Sequence, residues 1–168
     1  MTTPIIHAFR RVAVPVMFLL LCSCVMAQEQ SRGKDKYLCA ESNPEAICSS
    51  ENTCGSHSAS CTVDIKRTAS DASATPVLPG AKANMPFCVK AGTTVTWQSQ
   101  SKNTGFVVDF GPDTPFAQDT IIGGSDRPVS AVAKKKGCYK YSAGACVSGS
   151  IYGMCASVEA ELIVTGSE

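Results

Sequence analysis

Histidine is nearly absent from this chain, and its shortage excludes several kinds of chemistry. The 168 residues include only His7 and His57. A Ser/His/Asp catalytic site needs a histidine base beside its nucleophile, and the chain has neither a Gly-x-Ser-x-Gly turn nor a phosphate-binding Gly-x4-Gly-Lys loop. We therefore expect that the protein is not an enzyme.

An excess of charge of either sign is also lacking. The formal net charge is +1, and removing the segment that holds Arg10 and Arg11 would change it to −1. A near-neutral chain gives no electrostatic reason to bind nucleic acid or an anionic membrane. We interpret the one basic run, Lys134–Lys136, as a solvated loop, with a docking patch for an acidic partner as the alternative.

The first residues are typical of an export signal. Arg10 and Arg11 precede an apolar run from Val12 to Met26, which is shorter than the roughly 20 residues that span a bilayer. We predict a signal peptide at 1–27 with cleavage after Ala27, and hence a periplasmic or secreted protein. The alternative is a lipoprotein anchored through Cys24, and membrane contact is expected only in that case.

Eight cysteines remain after the signal, an even number that is typical of disulfide bonds in an exported protein. No two of them have the C-x2-C spacing of a structural zinc site, so a metal cluster is the weaker interpretation. The sequence leaves the pairing open, although Cys88 and Cys138 flank predicted strands and could link two neighbouring ones. The candidates are Cys39, Cys48, Cys54, Cys61, Cys88, Cys138, Cys146 and Cys155.

Two regions follow the signal. Residues 28–60 form a short Cys-rich extension with too little apolar content for a core, so bridges must hold it or it must lie on the main domain. Pro44 after Asn43 indicates one helical turn from Asn43 to Ile47. Residues 61–168 form the main domain, which opens with a strand and a long loop predicted from Thr68 to Pro86.

Short segments with alternating apolar and polar residues fill the main domain, separated by turn residues, and no long helical period follows Cys61. This pattern predicts an all-β fold, an antiparallel Greek-key β-sandwich. The predicted strands begin near Cys61, Phe87, Thr93, Phe106, Val129, Cys138 and Val158.

Three segments resemble the cupredoxin family of small blue-copper proteins. Val89–Trp97 is similar to strands that open the cupredoxin core, and Gly105–Phe110 is similar to the strand that delivers the first copper histidine. Gly137–Tyr141, with Cys146 and Met154, resembles the copper-ligand loop of plastocyanin and its relatives. The resemblance covers about Cys61 to Gly166 and implies a cupredoxin-like sandwich.

The chain departs from the family at the metal ligands. A blue-copper site needs two imidazoles and a thiolate. The loop keeps the family spacing from Cys146 to Met154, but Gly149 stands where the histidine belongs, and Val107 and Val108 occupy the upstream position. Cys155 directly after Met154 suggests a Cys146–Cys155 disulfide, which would remove the thiolate.

We therefore expect no type 1 copper and no other cofactor. We expect a binding or interaction module for an unknown protein or small molecule, with its surface at Phe106, Val107, Ile151 and Tyr152. The alternative is a copper-binding or electron-transfer protein in which reduced Cys146, Met154 and Cys155 hold Cu(I). A lipid-anchored structural protein of the envelope is a further alternative.

Overall fold

The computed structural model describes residues 37–56, 58–68, 71–147 and 155–166, but not the side chains of 155 and 156. Within these residues the chain forms nine strands, most of which alternate buried and exposed side chains. The helical segments there are two 3₁₀ turns, Leu38–Ala40 and Pro44–Ile47, and neither is long and apolar enough to cross a membrane. The strands are β1 (Cys61–Arg67), β2 (Ala72–Pro76), β3 (Phe87–Lys90), β4 (Thr94–Gln98), β5 (Thr104–Asp109), β6 (Thr120–Gly124), β7 (Val129–Val132), β8 (Gly137–Val147) and β9 (Cys155–Thr165).

The strands form two sheets, with the orders β2-β1-β4-β7 and β3-β9-β8-β5-β6. The predicted all-β sandwich is therefore confirmed. Each sheet is mixed, because β1 pairs with β4 and β3 pairs with β9 in parallel, while the other neighbours are antiparallel. Parallel neighbours need long connections, and here other strands of the sandwich lie between them in the chain.

Two strands lie where the sequence indicated loops. β2 falls inside the segment Thr68–Pro86, so the prediction of one long loop there was wrong. Its inward residues, Ala72 and Ala74, are buried but small, and they give little apolar signal. β6 ends in Gly123 and Gly124, which resemble a turn in the sequence, although both residues pair with β5.

An aromatic cluster fills the space between the two sheets. Trp97 of β4 contacts Tyr141 of β8 at 5.3 Å between ring centroids, and Phe110 lies 5.1 Å from Tyr141 and 5.2 Å from Phe116. Each such pair contributes about 0.5–1.5 kcal/mol beyond the burial of its area. The Trp97 indole N–H and the Tyr141 hydroxyl are buried without a hydrogen-bond partner among the described residues.

The Cys-rich extension is fastened to the outer face of the five-stranded sheet. Cys39–Cys138 and Cys48–Cys88 join it to β8 and β3 of this sheet, whereas Cys54–Cys61 joins it to β1 of the other sheet; Cys146 is disulfide-bonded as well. The suggestion that Cys88 and Cys138 link neighbouring strands was wrong, because β9 lies between β3 and β8, and two strand spacings exceed the reach of a disulfide. The predicted helical turn is confirmed as the 3₁₀ turn Pro44–Ile47.

A buried carboxylate secures the same segment. Glu161 of β9 is 6% exposed, and its two oxygens accept hydrogen bonds from the backbone N–H groups of Leu38 (2.9 Å) and Cys39 (2.8 Å). Tyr37 donates to Glu159 on the same face of β9. Disulfides and hydrogen bonds to a charged group thus hold residues that have no core of their own.

We predict opposite effects from removing the hydroxyls of two tyrosines on β8. Tyr141→Phe removes a buried hydroxyl that lacks a partner, so the free energy of unfolding should stay equal or rise by up to about 1 kcal/mol. Tyr139→Phe is the matched control and should lower it by about 0.5–1.5 kcal/mol, because that hydroxyl donates to the carbonyls of Lys135 and Lys136. Denaturant unfolding, followed by emission of the single Trp97, measures both. A larger loss in Tyr141→Phe would contradict the assignment.

Stability should also fall in alkali. Burial raises the pKa of Tyr141 well above 10.0, and burial together with the charge of Asp113 raises the pKa of Tyr139. The folded state therefore keeps these protons when the unfolded state loses them, so the stabilisation is complete below pH 10 and is lost as the pH rises. Between pH 10 and 11 the free energy of unfolding, measured by denaturant titration at each pH, should fall by about 1 kcal/mol more in the wild type than in Tyr141→Phe. Equal losses would contradict this.

Candidate functional site

The predicted loop end, Gly105–Val107 with Cys146–Met154, is described only in part, because residues 148–154 lie outside the described residues. Gly105 of β5 lies opposite Cys146 of β8 on one side and opposite Gly124 of β6 on the other. Thr104 pairs with Val147, the last residue of β8. Gly105 and Cys146 are thus neighbours in one sheet, although Val107 pairs further along β8 with Gly144.

The four residues predicted to form the binding surface differ in exposure and in whether the structure describes them. The prediction of Phe106 as a surface residue was wrong. Its side chain is 3% exposed, because Thr104, Phe106 and Val108 point inward from β5. Val107 points outward, is 36% exposed, and faces Ile122, which is 60% exposed, across the strand pair. Ile151 and Tyr152 lie outside the described residues.

A polar cleft of about 560 Å³ lies at this end, and sequence reasoning missed it. It is lined by Asn103–Gly105 at the start of β5 and by Gly123–Arg127 at the end of β6 and in the turn that follows. This volume falls within the usual range of small-molecule sites. The sequence signal was Gly123-Gly124-Ser125-Asp126, which indicated a turn but not that its backbone would border a cavity.

The glycines shape the cleft for different reasons. A Cβ on Gly123 would lie 2.3 Å from the Phe106 ring, so this position must be glycine for the ring to pack. A Cβ on Gly124 would lie 3.3 Å from the carbonyl oxygen of Thr104 and from Asp126 Oδ1. A Cβ on Gly105 would meet nothing closer than 3.9 Å, so its missing side chain leaves open space.

Hydrogen bonds fix the turn that forms one wall. Gly124 and Arg127 exchange two backbone hydrogen bonds of 3.0 and 3.1 Å, and the N–H of Ser125 donates to the Thr104 carbonyl at 2.9 Å. The Arg127 guanidinium donates to the Ile122 carbonyl at 3.1 Å. Asp126 and Arg127 are exposed and carry opposite charges, so the wall is polar and close to neutral.

The cysteine of the loop end is not a thiolate. Cys146 is disulfide-bonded, and Cys155 lies directly opposite it in the β8–β9 register. This register supports the predicted Cys146–Cys155 bond, although the side chain of Cys155, like the whole of Met154, lies outside the described part. Among the described residues, Cys146 therefore supplies no thiolate and no histidine supplies an imidazole, so these residues alone do not form a type 1 copper site.

A second group of metal-ligand types lies under the Cys-rich extension. Sulfur atoms of Cys39 and Cys138 and a carboxylate oxygen of Glu161 lie within 4.8 Å of one another. The two sulfurs are bonded to each other, and the carboxylate accepts the two N–H groups described above. We therefore interpret this group as structural.

Comparison with known proteins adds little to these observations. No protein-family model matches the chain, and no curated protein matches it. Among solved structures, an oxidised mutant of amicyanin is similar, with 14% sequence identity and a TM-score of 0.35 over 68% of this chain and 93% of the amicyanin chain. A likeness this distant carries no argument about function.

Substitutions at two of the cleft glycines should separate packing from open space. Gly123→Ala should lower the free energy of unfolding by about 1–3 kcal/mol, because its methyl group collides with the Phe106 ring and the Arg127 carbonyl. Gly105→Ala is the control and should change it by no more than about 0.5 kcal/mol. Denaturant midpoints of the two variants test this, and comparable losses would show that the cleft geometry is misassigned.

Proposed function

We propose that the protein is an exported, disulfide-stabilised, cupredoxin-like domain that acts as a non-catalytic binding module without type 1 copper. It works in the periplasm or outside the cell, and its binding surface is the loop end of the sandwich. The observation that carries the proposal is the polar cleft between Asn103–Gly105 and Gly123–Arg127. Rigid sheet scaffolds commonly bind through such ends, and a fold alone does not decide the function.

Three features support binding over electron transfer. Cys146 is occupied by a disulfide, the cleft beside it is walled by a hydrogen-bonded turn, and no imidazole lies among the described residues. The copper alternative would require reduction of Cys146 before it could donate a thiolate. The partner is a protein or a small molecule, and the near-neutral charge of the chain gives no support for nucleic acid.

Export is supported by the use of cysteine. Bridges that hold a coreless segment on a sheet are typical of oxidising compartments, where they persist. The signal at 1–27 lies outside the described residues and stays a prediction. A lipid on Cys24 would change only the anchoring, and mass spectrometry of the mature amino terminus distinguishes a lipidated Cys24 from cleavage after Ala27.

We predict no free thiol and no tightly bound copper in the purified protein. Thiol titration under denaturing conditions should be negative before reduction, and dialysis against Cu(II) should leave no stoichiometric metal and no blue absorption. The control is the same protein after full reduction, which should report all its cysteines. A native protein with two free thiols and one copper per chain would instead support the Cys146, Met154 and Cys155 alternative.

A further inference from the structure

We infer that the cleft binds a neutral, polyhydroxylated ligand, a short glycan. This inference rests on the proposed binding function and names the chemistry of its ligand. Four features of the cleft carry it: the absence of apolar residues from its lining, the balance of charge, the bare backbone of its glycines, and the occupied backbone groups at the neighbouring strand edge.

The lining selects for hydrogen bonding. None of the residues that border the cleft has an apolar side chain, which disfavours a lipid or a hydrophobic peptide anchor. Asn103 and Ser125 offer both donors and acceptors, and Asp126 offers acceptors. Sugar hydroxyls donate and accept at once, so they match a wall of mixed donors and acceptors.

The charges oppose an anionic ligand. Asp126 and Arg127 are adjacent, so the wall has no net charge. The Arg127 guanidinium already donates a hydrogen bond to the Ile122 carbonyl at 3.1 Å, so one of its N–H groups points towards the protein and not into the cleft. A phosphate or carboxylate ligand would face Asp126 without a dedicated cation, whereas a neutral ligand carries no such penalty.

The neighbouring sheet edge opposes an added peptide strand. β6 is the edge strand of its sheet, and an extended peptide could pair there only through free backbone groups. Gly124 already exchanges both backbone hydrogen bonds with Arg127, and the Ile122 carbonyl accepts the Arg127 side chain. Next to the cleft, both backbone groups of Gly124 and the carbonyl of Ile122 are therefore already occupied, which disfavours strand addition.

The missing side chain of Gly105 leaves room for the ligand next to the backbone of β5. Its position is exposed, and a side chain there would project into space free of other atoms to 3.9 Å. A sugar ring can therefore approach the backbone of β5 between Asn103 and Ser125. The same geometry makes Gly105 the position at which a larger side chain blocks the cleft with little change to the fold.

The test is titration of the disulfide-bonded protein with neutral tetrasaccharides of glucose, galactose, mannose and N-acetylglucosamine, followed by ¹⁵N–¹H spectra. We expect at least one of them to shift the amide signals of Gly105, Gly123 and Gly124, with an affinity of roughly millimolar order, which suits an open site. Gly105→Leu should weaken binding at least about tenfold, equivalent to about 1.4 kcal/mol. Gly166→Leu is the matched control. A Cβ at Gly166 also meets open space, but this residue follows β9 and does not line the cleft, so the variant should bind like the wild type.

A second variant keeps the test valid if Gly105→Leu does not fold, as judged by Trp97 emission. Asp126→Ala removes an exposed acceptor and should weaken binding about fivefold or more. Binding unaffected by both variants, or shifts confined to other residues, overturns the inference. If inorganic phosphate or an extended peptide shifts the cleft glycines and no tetrasaccharide does, the glycan is wrong while the binding site stands. If none of these probes shifts them, both the inference and the proposed location of the site fail.

Discussion

The pairing of β8 with β9 is the constraint on which the rest of the molecule depends. It runs without interruption from Gly137 opposite Val164 to Cys146 opposite Cys155. Because side chains alternate across a strand, this one register sends Tyr141 inward to Trp97 and Glu161 outward to the Cys-rich extension. A slip of either strand by one residue would reverse its two faces, which would turn Tyr141 away from the aromatic core or move the Glu161 carboxylate from its hydrogen-bond donors into that core.

The sequence predicted the parts of the fold that repeat a strong pattern. The alternation of Phe106, Val108 and Phe110 located β5. The same alternation predicts that Phe106 points inward, as it does in the structure, so the prediction of Phe106 as a surface residue conflicted with the pattern that located its strand. β2 escaped prediction because alanine, serine and threonine give a weak apolar signal. β6 escaped because its two glycines are as typical of turns as of close packing against an aromatic ring.

The candidate site was harder to predict than the fold. That Gly105 and Cys146 lie at one end of the sandwich was an expectation from the resemblance to cupredoxins. Three of the eight residues that line the cleft beside them are glycines, and its walls depend on which carbonyl each turn N–H reaches, such as Ser125 to Thr104. Disulfide partners were equally open, because 105 pairings of eight cysteines are compatible with the sequence.

The two bridges from the Cys-rich extension to the sheet have a consequence for protease digestion. The loop of residues 77–86 lies between Cys48 and Cys88, and also between Cys39 and Cys138. A single nick in that loop therefore leaves both fragments covalently joined, and they separate only when a reductant is added. A protease can therefore cut once in the loop that begins at the exposed Val77 without releasing either fragment.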